Sequence, residues 1–200
     1  MMNYRMTAYV LGSISVIMAI LMTVPFIMTF GFREDYSSTT FAFGLTIAIL
    51  LAVGIPCIVK RPQNTHITSS CGFVTVALAW IMMSIVGAIP LCVSGVIPNF
   101  IDCIFEMVSG FTTTGATIMT NIEGAPNSIL FWRSMTHWIG GMGILVFVVA
   151  LLPKSNPAVV HLMKAEVPGP EFGKLVSKLR FTARILYCIY LALTILEVVL

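Results

Sequence analysis

The chain has 200 residues, 58% of them apolar and only 10% charged, with a mean hydropathy of +0.99. That composition describes a membrane protein, not a soluble domain. Its 11 Lys and Arg are scattered and nowhere interleaved with aromatic residues, which excludes a nucleic-acid face and leaves the lipid bilayer as the surroundings of the chain. The five cysteines (Cys57, Cys71, Cys92, Cys103, Cys188) form no CxxC pair and read as small hydrophobes.

A helix needs about 20 apolar residues to cross roughly 30 Å of hydrocarbon. Five runs qualify in chain order: Met6 to Phe30, Thr39 to Val59, Cys71 to Cys92, Leu130 to Leu152 and Phe181 to Leu200. The first is too long for a signal-peptide core and no small-x-small cleavage pattern follows it, so it is a span. Loops between these runs place Arg5, Lys60, Arg61, Lys154, Lys164, Lys174, Lys178, Arg180 and Arg184 on one side, against Arg33 and Arg133 on the other. The positive-inside rule puts the N terminus, the 60 to 70 loop and the 153 to 180 loop in the cytoplasm.

Between the third and fourth runs, Pro98, Asp102 in a first turn, and Phe100, Ile101, Ile104, Phe105, Met107 and Val108 predict a helix over 98–110. It is too short to cross, so it dips in and the chain turns back as non-helical backbone, tolerated at membrane depth only where it is buried in protein or lines a watery cavity. The return, 111–117, is Phe-Thr-Thr-Thr-Gly-Ala-Thr. Its hydroxyls and carbonyls are hard neutral ligands suited to a monovalent cation, and Gly115 gives the backbone freedom to turn successive carbonyls into a pore. The expected cation ligands are Thr112, Thr113, Thr114 and Gly115, with K+ at Thr113 and Thr114, and with Ala116 and Thr117 in support. Glu106, one turn before the return, is positioned to hydrogen-bond its amides from behind. For Arg133 two readings stay open, snorkelling to the interface or pairing with an acid to brace the strand. His137 reads as a packed or hydrogen-bonded histidine, and Gly140-Gly141-x-Gly143 as close helix packing. Paired histidines, a catalytic dyad and suitably spaced intramembrane carboxylates are all missing, which argues against an enzyme.

Three segments carry a resemblance. Phe105-Glu106-x-Val108-Ser109-Gly110-Phe111-Thr112-Thr113-Thr114-Gly115-Ala116-Thr117 resembles the first pore helix and filter of the Trk/Ktr/HKT superfamily of potassium-uptake proteins. Phe131-Trp132-Arg133-Ser134 with His137-Trp138-Ile139-Gly140-Gly141-Met142-Gly143 is similar to the opening of the next helix, with His137 where Gln is usual. Lys164-Ala165-Glu166-x-Pro168-Gly169-Pro170 is similar to the following cytoplasmic loop. The two leading spans resemble those of the TrkH branch of that superfamily.

The resemblance implies an all-α polytopic membrane protein built from K+-channel-like repeats of span, re-entrant pore helix, filter loop and span. In that scheme 1–66 holds two leading helices, 67–152 the first pore repeat, 153–180 a cytoplasmic loop, and 181–200 the first span of a truncated second repeat. The chain is then expected to be the N-terminal portion of a longer protein, since one filter strand gives a cation ligands from one side only. The implied activity is potassium uptake across the inner (cytoplasmic) membrane, with K+ as the transported ion and no cofactor in this chain. A Na+ or mixed-cation transporter stays open beside it, as does symport, and a non-conducting subunit if the chain truly ends at Leu200. The implied partners are a second copy in a homodimer of the full-length protein and a cytoplasmic nucleotide-binding regulatory subunit.

Overall fold

The computed structural model describes residues 4–32, 38–60, 69–141, 143 and 176–199, the side chains of 69, 70 and 176–184 excepted. Every regular element among them is a helix: α1 Tyr4–Gly31, α2 Thr39–Val59, α3 Ser69–Val93, α4 Phe100–Phe111, α5 Asn127–Gly141 and α6 Val176–Val199. The first three are long and apolar enough to cross a membrane. Their outward faces carry Ile20, Ile27, Phe41, Val53, Phe73 and Ile81, each more than half exposed, and such surface is stable only against lipid or further protein.

α1 is the centre of the packing. Met6, Val10, Ile14, Met18 and Met22 recur every fourth residue, which lines them along one stripe, and all are buried. α2 returns antiparallel to α1, and the two backbones nearly touch: a Cβ on Gly12 would lie 2.5 Å from Cys57 Cβ and 3.0 Å from the Gly54 carbonyl. α3 runs parallel to α1, its start tied to α1's start where Thr7 Oγ1 lies 3.1 Å from Thr75 Oγ1. Where lipid offers no hydrophobic drive between helices, small residues and hydroxyl contacts of this kind hold them together.

Several expected boundaries move. The short helix starts at Phe100 rather than Pro98, because Asn99 in extended conformation (φ −94°, ψ 124°) caps it by accepting from the Ile101 N–H at 3.0 Å. It ends at Phe111 rather than Gly110, so the return loses Phe111 to the helix. Twelve residues rise roughly 18 Å, well short of a crossing. α5 starts at Asn127 and is described to Gly141, the rest of the expected 130–152 span lying outside the described residues. α6 has 24 residues with its apolar part at Ile185–Val199. The 153–180 loop is outside the described residues up to 175.

Candidate functional site

α4 turns Cys103, Glu106, Met107 and Gly110 inward on one stripe, while Ile101, Phe105 and Val108 stay exposed on the other. Its C-terminal end is anchored by aromatic packing. Phe111 sits edge-on between Trp80 of α3 and Trp132 of α5, both ring centroids 6.5 Å away. Trp132 Nε1 donates to the Gly87 carbonyl at 3.1 Å, which pins α5 to α3. A Cβ on Gly140 would lie 2.1 Å from the Phe111 carbonyl oxygen, so α5 rests directly on the backbone where the helix stops.

Thr112 is the C-cap (φ −82°, ψ 0°), its N–H bonding the Val108 carbonyl at 2.9 Å. Beyond it the backbone is unusual. Thr113 has φ +57°, Thr114 is not on the positive side, and Gly115 has φ +77°. A β-branched residue in the left-handed region is a strained outlier, and such strain persists where the surroundings impose it. A regular strand points successive carbonyls to opposite sides, whereas alternating the sign of φ turns them toward one side. The amides meanwhile face back: Thr114 N–H and Gly115 N–H both reach the Ser109 carbonyl, at 3.0 and 3.5 Å. The carbonyls of Thr113, Thr114 and Gly115 accept no hydrogen bond from the described residues. They and the exposed side chains of 112–118 lie open at the surface, at the partially negative end of α4.

The rest of the return is held from behind. Ser109 Oγ donates to the Ala116 carbonyl at 2.6 Å. Glu106, 1% exposed, accepts from Thr117 Oγ1 at 3.1 Å and from the Ile118 N–H at 3.0 Å through one oxygen, while its other oxygen takes Arg133 Nε. Of the two readings left open for Arg133, pairing with an acid is the one found. The carboxylate is thus consumed by one cation and two backbone-positioning bonds. The exposed ligands offered to an ion are neutral oxygens. Among the described residues no group of three His, Cys, Asp or Glu is placed to hold a metal ion.

All eight residues singled out in the sequence therefore fall in one cluster, seven on α4 or its return and Arg133 brought in by α5. His137 Nδ1 lies 3.0 Å from the Arg133 carbonyl, a hydrogen bond within its own helix. The sequence reading passed over Ser109, which ties helix to return through both its carbonyl and its hydroxyl. Its signal was present: a Ser seven residues before Ala116, at a helix end, where Ser competes for backbone bonds.

With that geometry in view, the comparisons are specific. Residues 37–200 match the family model of TrkH, described as a cation transport protein. The Trk system potassium uptake protein TrkH of Escherichia coli strain K12 is 34% identical over 198 residues, 97% of this chain and 40% of that protein. An uncharacterized cation transporter of Methanocaldococcus jannaschii is 35% identical over 96% of this chain and 39% of its own length. The crystal structure of the potassium transporter TrkH from Vibrio parahaemolyticus superposes with a TM-score of 0.75 at 29% identity, covering 97% of this chain and 38% of that one. This chain spans about 40% of the length of the curated relatives it matches. The family model alone covers well over half of its residues, and the chain belongs to the TrkH family of cation transport proteins.

Proposed function

We propose that the chain forms the first pore repeat of a transporter that takes up K+ across the cytoplasmic membrane, with 112–117 as one strand of its selectivity filter. The observation that carries this is the trio of carbonyls at Thr113, Thr114 and Gly115, unsatisfied among the described residues, on a strand held from behind by Glu106 and Ser109. Carbonyl oxygens replace a hydration shell without the tight hold of a carboxylate, so the ion can enter and leave. Glu106 acts on the ion only through the strand it positions, since Arg133 neutralises it. The apolar face of α4 and the return are open at the surface, as a pore closed by further repeats requires. The N terminus is assigned to the cytoplasm by the basic residues, and the full-length assembly is a homodimer bearing a cytoplasmic nucleotide-binding regulatory subunit, a reading that rests on the family resemblance.

The test is Gly115→Ser in the full-length transporter. Among the described residues nothing lies within 4 Å of a Cβ at Gly115, so within this chain the substitution acts through φ +77° and not through a clash. A side chain in that conformation costs about 1 to 2 kcal/mol, and relief of the strain turns the carbonyls away. K+ over Na+ preference in flux measurements should fall by about fivefold or more. Unchanged selectivity in a well-expressed protein overturns the filter assignment.

A further inference from the structure

Outside the filter, a cavity of about 540 Å³ opens at one end of α1 and α2, lined by Arg5, Ala8, Pro56, Cys57 and Lys60. Its construction follows from the helix contact above it. The two backbones are pressed together at Gly12 and Gly54, and one turn further out Ala8 is too small to keep the gap filled. Arg5, Ala8 and Gly12 follow one another at spacings of three and four, so they share one face of α1. Opposite, α2 ends: the Lys60 N–H closes on the Pro56 carbonyl at 3.3 Å as the helix cap. The result is a notch with an apolar floor and two cations at its mouth, one from each helix.

Neither Arg5 nor Lys60 has an ion-pair partner among the described residues. The neighbouring segments 1–3 and 61–68 contain no Asp or Glu, and the latter adds Arg61. Two cations from adjacent spans, with no ion-pair partner among the described residues and at the ends of two helices long enough to cross a membrane, call for an anion. A guanidinium suits the paired oxygens of a phosphodiester, and an ammonium adds a point charge beside it. The apolar floor suits the glycerol and upper acyl carbons attached to that phosphate, which a free anion lacks. Basic pockets between membrane helices take anionic headgroups by this logic. We propose that the notch between α1 and α2 binds one anionic phospholipid, its phosphodiester between Arg5 and Lys60 and its upper chain over Ala8, Pro56 and Cys57. This site is separate from the filter and does not depend on which cation the filter passes.

The experiment is native mass spectrometry of the purified full-length protein in detergent, with phosphatidylglycerol and phosphatidylcholine of equal chain length as probes. Wild type should retain phosphatidylglycerol in preference to phosphatidylcholine, and R5Q/K60Q should lose roughly fivefold of that retention per cation removed. A8L, which fills the floor and leaves both charges, should weaken it as well. Equal retention of the two lipids by wild type overturns the proposal without reference to any variant. So does displacement of phosphatidylglycerol by millimolar inorganic phosphate, which would make the notch a small-anion site, and so does undiminished retention by R5Q/K60Q.

Discussion

Glu106 is the residue on which the return depends. It is one carboxylate with three partners, and removing it leaves Arg133, Thr117 and the Ile118 amide without theirs. Breaking a buried pair from one side costs about 3 to 5 kcal/mol, because the remaining charge is stranded. Glu106→Gln should therefore destabilise strongly. Arg133→Gln should cost at least as much, because the charge it strands is the fully buried Glu106, whereas the Arg133 left behind by Glu106→Gln has a side chain 19% exposed that water reaches. The double variant is expected to lose less than the sum of the two single losses, by about 1 kcal/mol or more. Thermal unfolding in detergent measures the cycle, and strict additivity would mean the two groups do not act together.

At the scale of elements, the contact that positions the return after α4 is α5 against the end of that half-helix. Two glycines make it, and they are not equivalent. A methyl group on Gly140 meets the backbone of Phe111, its carbonyl oxygen at 2.1 Å and carbonyl carbon at 2.8 Å. On Gly110 it meets the Thr136 hydroxyl, also at 2.1 Å, which is a side-chain atom that can rotate away from its bond to the Arg133 carbonyl. Gly140→Ala has to separate two helices, whereas Gly110→Ala exchanges one hydrogen bond for another rotamer. Overpacking costs about 1 to 3 kcal/mol, and Gly140→Ala belongs at or above the top of that range with Gly110→Ala below it. The ranking is read from thermal stability of the two variants, and the reverse order would show that α5 moves more easily than Thr136. Gly141 faces a different neighbour: a Cβ there would lie 2.7 Å from Tyr190 Oη, whose ring stacks on Trp138 at 5.5 Å. The glycine pair thus fits α5 between the half-helix and α6.

For the whole molecule, the packing sorts the loops between the described helices to two ends. Arg5 and Lys60 share one end of α1 and α2, and α3 starts at that end beside Thr7. The stretch 119–126 joins the return to α5 at the other end and carries Glu123. If the basic end is cytoplasmic, as the positive-inside rule expects, a cysteine at exposed Asn121 in a cysteine-free background should react with an impermeant thiol reagent added to intact cells. One at Asn156, outside the described residues, should react only after the membrane is opened. Labelling of Asn156 and not Asn121 from outside would invert the orientation.

Hydropathy alone marked the first three spans, because lipid tolerates one composition over one length: α2 falls at 39–59 as read, and α1 and α3 within two residues of expectation, whereas the last helix starts at Val176 and not Phe181. The half-helix was legible for the same reason, as an apolar run too short to cross. Its ends were not, since Asn99 and not Pro98 caps the helix by accepting from the Ile101 amide, and Phe111 stays helical to fill the space between Trp80 and Trp132. Those are decisions of capping geometry and packing between elements distant in sequence. The threonine-glycine return advertised its chemistry by residue type, yet the left-handed φ of Thr113 could not be read there, because nothing in a threonine's own preferences asks for it. The bond from Ser109 and the grip of Glu106 on Ile118 accompany that conformation. The choice between a snorkelling and a paired Arg133 was likewise open along the chain. It was closed by the tertiary structure, in which Gly140 lets α5 approach the half-helix closely enough to bring residues 27 apart in sequence into one ion pair.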